Sequence, residues 1–244
     1  MKRIVVLILV WLSISYSVAG QQPTMLTKVD QQKMTAWTDS VFNSLSMDER
    51  IGQLFMVIAD VKTTNQNMQR LLRYVNELKI GGVLFHKGSP EEQAKLTNRM
   101  QAASKVPLLV SLDGEWGLSM RLSGTTRFPK NMMLGAIEDN LLIRKYGEEV
   151  ARQCKVMGIH INFAPDLDVN SNVDNPVIGI RSFGEDPAAV AEKGIAYASG
   201  LEEGGIMAVA KHFPGHGDTS DDSHETLPVI YHSRSRLDSI ELLP

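Results

Sequence analysis

Two hydrophobic periods alternate along the chain. Apolar residues at three- and four-residue spacing predict helices: Met34, Trp37, Val41 and Leu45; Met68, Leu71, Leu72, Val75 and Leu78; Leu142, Tyr146, Val150, Cys154 and Met157; Val190, Tyr197 and Leu201. Between and beyond these stretches lie short continuous apolar runs of strand length, at 54–58, 83–85, 107–112, 159–163 and 206–210. Local stop and start signals agree with the periods. Ser46-Met-Asp-Glu49 and Ser89-Pro90-Glu-Glu92 read as capping boxes, the second with proline at the first helical position. Asp139 and Asp186-Pro187 open further helices, Gly81-Gly82, Gly158 and Gly204-Gly205 close them, and Ser235 to Asp238 predicts one more helix start.

Strands that alternate with helices connect by right-handed crossovers and form a parallel sheet. Two arrangements fit, an open doubly wound sheet and a closed eight-stranded barrel. The open sheet often carries a Gly-rich phosphate loop after its first strand, and no G-x-G-x-x-G occurs here. Polar residues fall instead at the C-terminal ends of several strands: Asp113 and Glu115, Asp166 and Asp168, Lys211 and His212. In a barrel those ends converge on one mouth, where active sites sit. The expected fold class is therefore α/β, a (β/α)8 TIM-type barrel. Only five to six βα units can be counted, so the barrel is expected to be incomplete in this chain.

Composition narrows the setting. Lys2 and Arg3 precede a nine-residue apolar run, Ile4 to Leu12, and small residues Ser17 and Ala19 stand at −3 and −1 of a cut, the pattern of a secretory signal peptide over 1–19. The run is far shorter than the ~20 residues that span a bilayer, so no membrane span is expected. The leader has no cysteine for lipid attachment, and a secreted or periplasmic protein is the expectation. Residues 20–45 are expected to form a helical extension ahead of a barrel domain over 46–244. The 244 residues carry 25 Lys and Arg against 28 Asp and Glu. A mildly acidic chain without a basic run is a poor nucleic-acid binder, because phosphate neutralisation needs clustered cations. The single Cys154 excludes an internal disulfide, a cysteine-based zinc site and an iron–sulfur cluster.

The densest chemistry lies in Lys211-His-Phe-Pro-Gly-His-Gly-Asp-Thr-Ser-Asp-Asp-Ser-His224, with three of the six histidines within fourteen residues. Lys211 and His212 offer hydrogen-bond donors for a polar ligand. Asp222 and His224 are spaced so that the carboxylate can orient the imidazole, an acid–base pair. The same loop also fits loose metal binding or plain solvation, although His212-x3-His216-x7-His224 is not a zinc helix spacing. Outside the loop, Arg181 has Glu185 and Asp186 as nearby ion-pair partners. Asp113 has a turn to cap, and Asp166 and Asp168 read as loop structure.

Lys211 to Gly217 followed by Asp222-Ser-His224 resembles the signature of glycoside hydrolase family three, in its β-N-acetylglucosaminidase branch. Further matches run in the family's order: Met47-Asp-Glu-Arg-Ile-Gly-Gln53, Gly81 to Phe85, Asp113-Gly-Glu-Trp-Gly117 with Arg121-Leu122, Phe128-Pro129, Asn162 to Asp166, and Arg181 to Pro187. The resemblance implies a barrel domain that hydrolyses terminal β-linked N-acetylglucosamine, with peptidoglycan-derived muropeptides as the expected small carbohydrate substrates and no cofactor or metal. It implies that Asp113, Arg121, Arg181, Lys211 and His212 hold the terminal sugar in the −1 subsite. By the same resemblance, His224 is the acid/base and Asp222 its dyad partner. Two features depart from the pattern. Trp116 replaces a glycine, and no residue after His224 matches the family's aspartate nucleophile, so a truncated member is expected. A phosphorylase of the same fold and an inactive sugar-binding fragment are the alternatives; a β-glucosidase fits less well, since that branch lacks the Asp-Ser-His loop.

Overall fold

The computed structural model describes residues 31–60, 65–222 and 224–244; the expected leader at 1–19 lies outside the described residues. Helix α1 spans Gln31–Ser44 and α2 Met47–Gly52, followed by strand β1, Met56–Ala59. The alternation continues with α3 (Asn65–Asn76), β2 (Gly82–Phe85), α4 (Pro90–Ala103) and β3 (Leu109–Leu112). A 3₁₀ turn at Leu118–Met120 and a short helix α5 (Asn131–Gly135) precede α6 (Asn140–Val156) and β4 (Ile161–Asn162). A second 3₁₀ turn, Gly179–Arg181, leads to α7 (Pro187–Glu203), β5 (Met207–Ala208) and α8 (Arg234–Ser239).

The local signals act as their chemistry requires. Ser46 and Ser89 each accept from the third helical N–H while Glu49 and Glu92 reach back, closing both capping boxes. Asp139 and Asp186 cap α6 and α7 through backbone N–H groups. Three expectations are corrected. Helix α8 is capped by Ser233, two residues before Ser235, and Asp238 pairs with Arg234 at i,i+4 within it. The apolar stripe at the start of the chain is buried only at Leu45, just past α1, and Trp37 is 59% exposed. Strands β4 and β5 keep only two paired residues each, shorter than the runs at 159–163 and 206–210.

All five strands are parallel, in the order β1-β2-β3-β4-β5. A doubly wound sheet would reverse direction at a switch point; sequential order is the arc of a barrel. The helix-facing row runs Ala59, Phe85, Leu112, Asn162, Ala208 across the sheet, and its asparagine is the one polar member. The opposite row, Ile58, Leu84, Ser111, Ile161, Met207, is covered in the middle and open at both ends. The molecule is thus α/β with a parallel sheet, a partial TIM-type barrel. No helix among the described residues is long and apolar enough to cross a membrane.

Helices α6 and α7 pack unusually close. A Cβ on Gly200 would lie 2.1 Å from the Arg144 carbonyl oxygen, and one on Gly204 2.2 Å from the Ala151 Cβ. Glycine at these crossings lets two backbones approach within a distance no side chain permits. That approach brings Tyr146 of α6 and Tyr197 of α7 together, ring centroids 4.8 Å apart, directly behind the end of β3.

Candidate sugar site

The strand ends gather four carboxyl groups and three permanent cations. Asp113 follows β3 and accepts from Arg121 Nη2 at 2.7 Å and from Lys211 Nζ at 2.9 Å. Glu115 is fully buried and accepts two parallel bonds from Arg181, at 3.0 and 2.8 Å. Lys211 Nζ is also 2.7 Å from Glu115 Oε1, so one ammonium bridges both carboxylates. The ladder continues past β4 and β5 through the pairing of Asp166 with Lys211, which brings the two strand ends side by side.

His212 sits beside this cluster. Its Nδ1 contacts Asp168 Oδ2, and its Nε2 lies 3.3 Å from Arg181 Nη2. Guanidinium has only donors, so Nε2 accepts from Arg181 and Nδ1–H donates to Asp168. The other oxygen of Asp168 accepts from the His216 N–H at 2.6 Å. Asp166 is buried; its Oδ1 accepts from the Asp168 N–H at 3.0 Å, while its Oδ2 has no hydrogen-bond partner and stands 3.5 Å from Arg181 Nη2.

The electrostatics follow from this crowding. Burial acts upward on Asp113 and Glu115, but Lys211 with Arg121 for the first, and Arg181 with Lys211 for the second, outweigh it and hold both below the ordinary range. Burial likewise acts upward on Asp168, and the hydrogen bonds from His212 and from the His216 N–H bring it below. Asp166 goes the other way. Burial, then the charges of Asp168 and Glu115, push it well above its ordinary value.

The ligand atoms of Asp166, Asp168 and His212 lie within 4.8 Å of one another, which raises the question of a metal. The Arg181 guanidinium already supplies a cation to this group, 3.5 Å from Asp166 Oδ2 and 3.3 Å from His212 Nε2. A metal on Nδ1 would also move the imidazole proton to Nε2, against an Arg181 N–H. These residues fit a hydrogen-bonded carboxylate–imidazole pair, not a cation seat.

The five expected sugar-holding residues, Asp113, Arg121, Arg181, Lys211 and His212, therefore come together. The expected dyad stands apart from them. His224 Nδ1 is 2.7 Å from Asp222 Oδ1, and Asp222 also accepts from the His224 N–H at 2.9 Å. Those two bonds, backbone first, hold the exposed Asp222 below its ordinary range. The His224 side chain is 83% exposed. By contrast the first half of the histidine loop is pinned: Asn175 Nδ2 donates to the carbonyls of His216 and Thr219 at 2.7 and 2.8 Å, and Asn172 to those of Asp218 and Thr219.

Two sequence readings are corrected here. Arg181 pairs with Glu115, sixty-six residues away, and not with Glu185 or Asp186; Asp186 is spent on the α7 cap. Asp166 and Asp168 do hold loop backbone, through the Asp168 and His216 N–H groups, but they also face Arg181 and His212 in the candidate site. The available signal was their place at a strand end, shared with Asp113 and Lys211. Trp116 lies half-buried under Lys130, whose Nζ is 5.0 Å from the ring centroid.

A parallel βα arc with a paired cluster of carboxylates and cations at its strand ends defines a barrel-type domain with a charged, hydrogen-bonding mouth. Comparison with known proteins specifies which. The glycosyl hydrolase family 3 N-terminal domain matches residues 46–244, and the chain belongs to that family. A beta-hexosaminidase A of Pseudoalteromonas piscicida is 36% identical over 187 residues, covering 71% of this chain and 31% of the relative. The structure of a family 3 beta-N-acetylglucosaminidase from Paenibacillus sp. str. FPU-7 superposes with a TM-score of 0.74 at 37% identity, over 82% of this chain and 39% of the other. A beta-glucoside phosphorylase bound to a fluorinated glucose gives 0.73 at 28%, over 80% of this chain and 35% of the other. The chain thus spans about a third of the length of each of these proteins.

Proposed function

We propose that this chain supplies the sugar-holding and acid/base parts of a β-N-acetylhexosaminidase that releases terminal non-reducing β-linked N-acetylglucosamine with retention. The observation that carries this is the Asp113–Lys211–Glu115–Arg181–His212 cluster at the mouth of a family 3 barrel arc. A sugar's hydroxyls each donate and accept, so a site that alternates carboxylate with cation can pair with both capacities. The ion pairs orient the side chains before the sugar arrives.

In this reading Asp113, Arg121, Arg181, Lys211 and His212 hold the −1 sugar. His224, oriented by Asp222, protonates the leaving oxygen and later deprotonates water. Retention also needs a carboxylate nucleophile. Downstream of His224, Asp238 pairs with Arg234 and the buried Glu241 with Arg236, and we assign neither these nor the exposed Glu225 that role. The exposed position of His224 fits an acid that closes over bound substrate. The leader pattern supports export, and muropeptides are the substrate we propose on that side of the membrane.

Phosphorolysis is the second reading, favoured by the likeness to the beta-glucoside phosphorylase. Phosphate would replace water as the acceptor, and an imidazole acid/base repels it less than a carboxylate would. Titration calorimetry of the full chain with N-acetylglucosamine and with glucose tests the sugar assignment. N-acetylglucosamine should bind more tightly; equal or inverted affinities, or no binding to a cooperatively folded chain, overturn it. In the protein that carries this domain together with its nucleophile, release of sugar phosphate in phosphate buffer separates the two reactions.

A further inference from the structure

We propose that Asn162, Tyr197 and Tyr146 are positioning residues for Asp113 and Glu115, acting through the backbone of the Gly114–Glu115 turn between them. The inference rests on the reading above that these carboxylates and their cations hold the sugar.

Asn162 occupies the helix-facing row of the sheet, between Leu112 and Ala208, where the pattern calls for an apolar side chain. It is fully buried. A buried amide is costly unless its hydrogen bonds are made, and here the two shortest go to one residue. Asn162 Oδ1 accepts from the Gly114 N–H at 2.8 Å, and Asn162 Nδ2 donates to the Gly114 carbonyl at 3.2 Å. The side chain grips both sides of that residue as a neighbouring strand would. Tyr197, also fully buried, donates its hydroxyl to the same carbonyl at 2.9 Å, and Tyr146 donates to the Glu115 carbonyl at 3.3 Å.

Three elements thus meet under one turn. Strand β4 supplies Asn162, α7 supplies Tyr197 and α6 supplies Tyr146, and the close glycine-lined helix crossing brings the two tyrosines into reach. Gly114 fits because a Cβ there would stand 3.1 Å from Asn162 Oδ1. The two carboxylates flank the held residue, and Lys211 Nζ bridges them at 2.9 and 2.7 Å. A rotated turn would carry one carboxylate out of that bridge. The same bridge contributes to holding both carboxylates below the ordinary range, so their titration reports whether the turn is in place.

The test uses the full chain without sugar. Carboxyl carbons of Asp113 and Glu115 are followed by NMR through an acid titration in wild type, Tyr197→Phe and Asn162→Leu. Ile143→Val, in the buried core of α6, serves as a control for lost stability alone. In Tyr197→Phe the two midpoints should rise toward the ordinary range, and further in Asn162→Leu, while the control leaves them in place. N-acetylglucosamine affinity should fall roughly fivefold in Tyr197→Phe, the equivalent of one neutral hydrogen bond, and be unchanged in the control. Midpoints in Tyr197→Phe that superimpose on wild type overturn the proposal, whether or not Asn162→Leu folds. If wild type binds no N-acetylglucosamine, the proposed function falls, and the carboxyl titrations still decide the positioning role.

Discussion

Replacing Glu115 by glutamine removes one charge from the most enclosed point of the cluster and keeps the side chain's shape. Removing one partner of a buried ion pair typically costs about 3–5 kcal/mol, because the other charge is left buried. Here the cations are not fully stranded. Arg181 retains 20% exposure and Asp166, and Lys211 retains 14% exposure and Asp113. Glutamine also keeps one acceptor oxygen. The expected loss is therefore at or below the lower end, about 2–3 kcal/mol at pH 7, or roughly 4–12 °C in melting temperature for a domain of this size. The pH dependence has a definite sign. The folded state holds the Glu115 carboxyl below its ordinary 4.5, so its stabilisation is complete above that value and lost as pH falls through the folded one. The gap between wild type and Glu115→Gln should be full at pH 7 and 5.5 and shrink below about pH 4.5. Differential scanning calorimetry across that range measures it. A second variant, Arg181→Met, should cost less in the Glu115→Gln background than in wild type. A pH 7 melt within about 1 °C of wild type, or a gap that widens on acidification, would refute the reasoning.

Asp166→Asn should behave in the opposite sense. A carboxyl whose folded value is raised contributes stability below its unfolded value and loses it as pH rises, so the variant should gain on wild type as pH increases from about 4 in the same melts. His224→Ala, made in the protein that carries this domain with its nucleophile, should slow substrates with poor leaving groups by about 10²–10⁴-fold. Aryl glycosides with acidic leaving groups should lose much less in the glycosylation step, and equal losses on both would remove the acid role. Chelation should leave sugar binding unchanged, because a metal on His212 Nδ1 would put the imidazole proton on Nε2, against an Arg181 N–H; binding lost in EDTA and restored by zinc would revive a metal at Asp166, Asp168 and His212.

Much of this protein is local, and local chemistry is readable in order along the chain. The caps at Ser46, Ser89, Asp139 and Asp186 each join a side chain to a backbone N–H two or three residues on, so spacing alone announces them. The alternation of strand-length runs with helical stripes carried the parallel sheet, and the placement of Asp113, Asp166 and Lys211 after their strands carried the mouth. What failed did so where distance along the chain stops measuring distance in space. The amphipathic stripe of α1 announced a helix but not what would cover Trp37, since periodicity describes one partner of a contact only.

The site itself divides the same way. Asp222 and His224 are two residues apart, and their pairing was legible because a bend of that length brings the groups together unaided. Glu115 and Arg181 are sixty-six residues apart, and Asp168 and His212 forty-four. Their partnerships exist only because sequential parallel strands set β3, β4 and β5 side by side and bring their ends to one level. Asn162 is the sharpest case. In sequence it is a polar residue in an apolar run; in the fold, the approach of α6 and α7 and the return of β3 turn it into a clamp on Gly114. Residue types and spacing determined which elements form and which side chains carry chemistry. The order of the strands and the closeness of two helices decided which of those side chains meet, because a hydrogen bond made at 3 Å depends on where the backbones run.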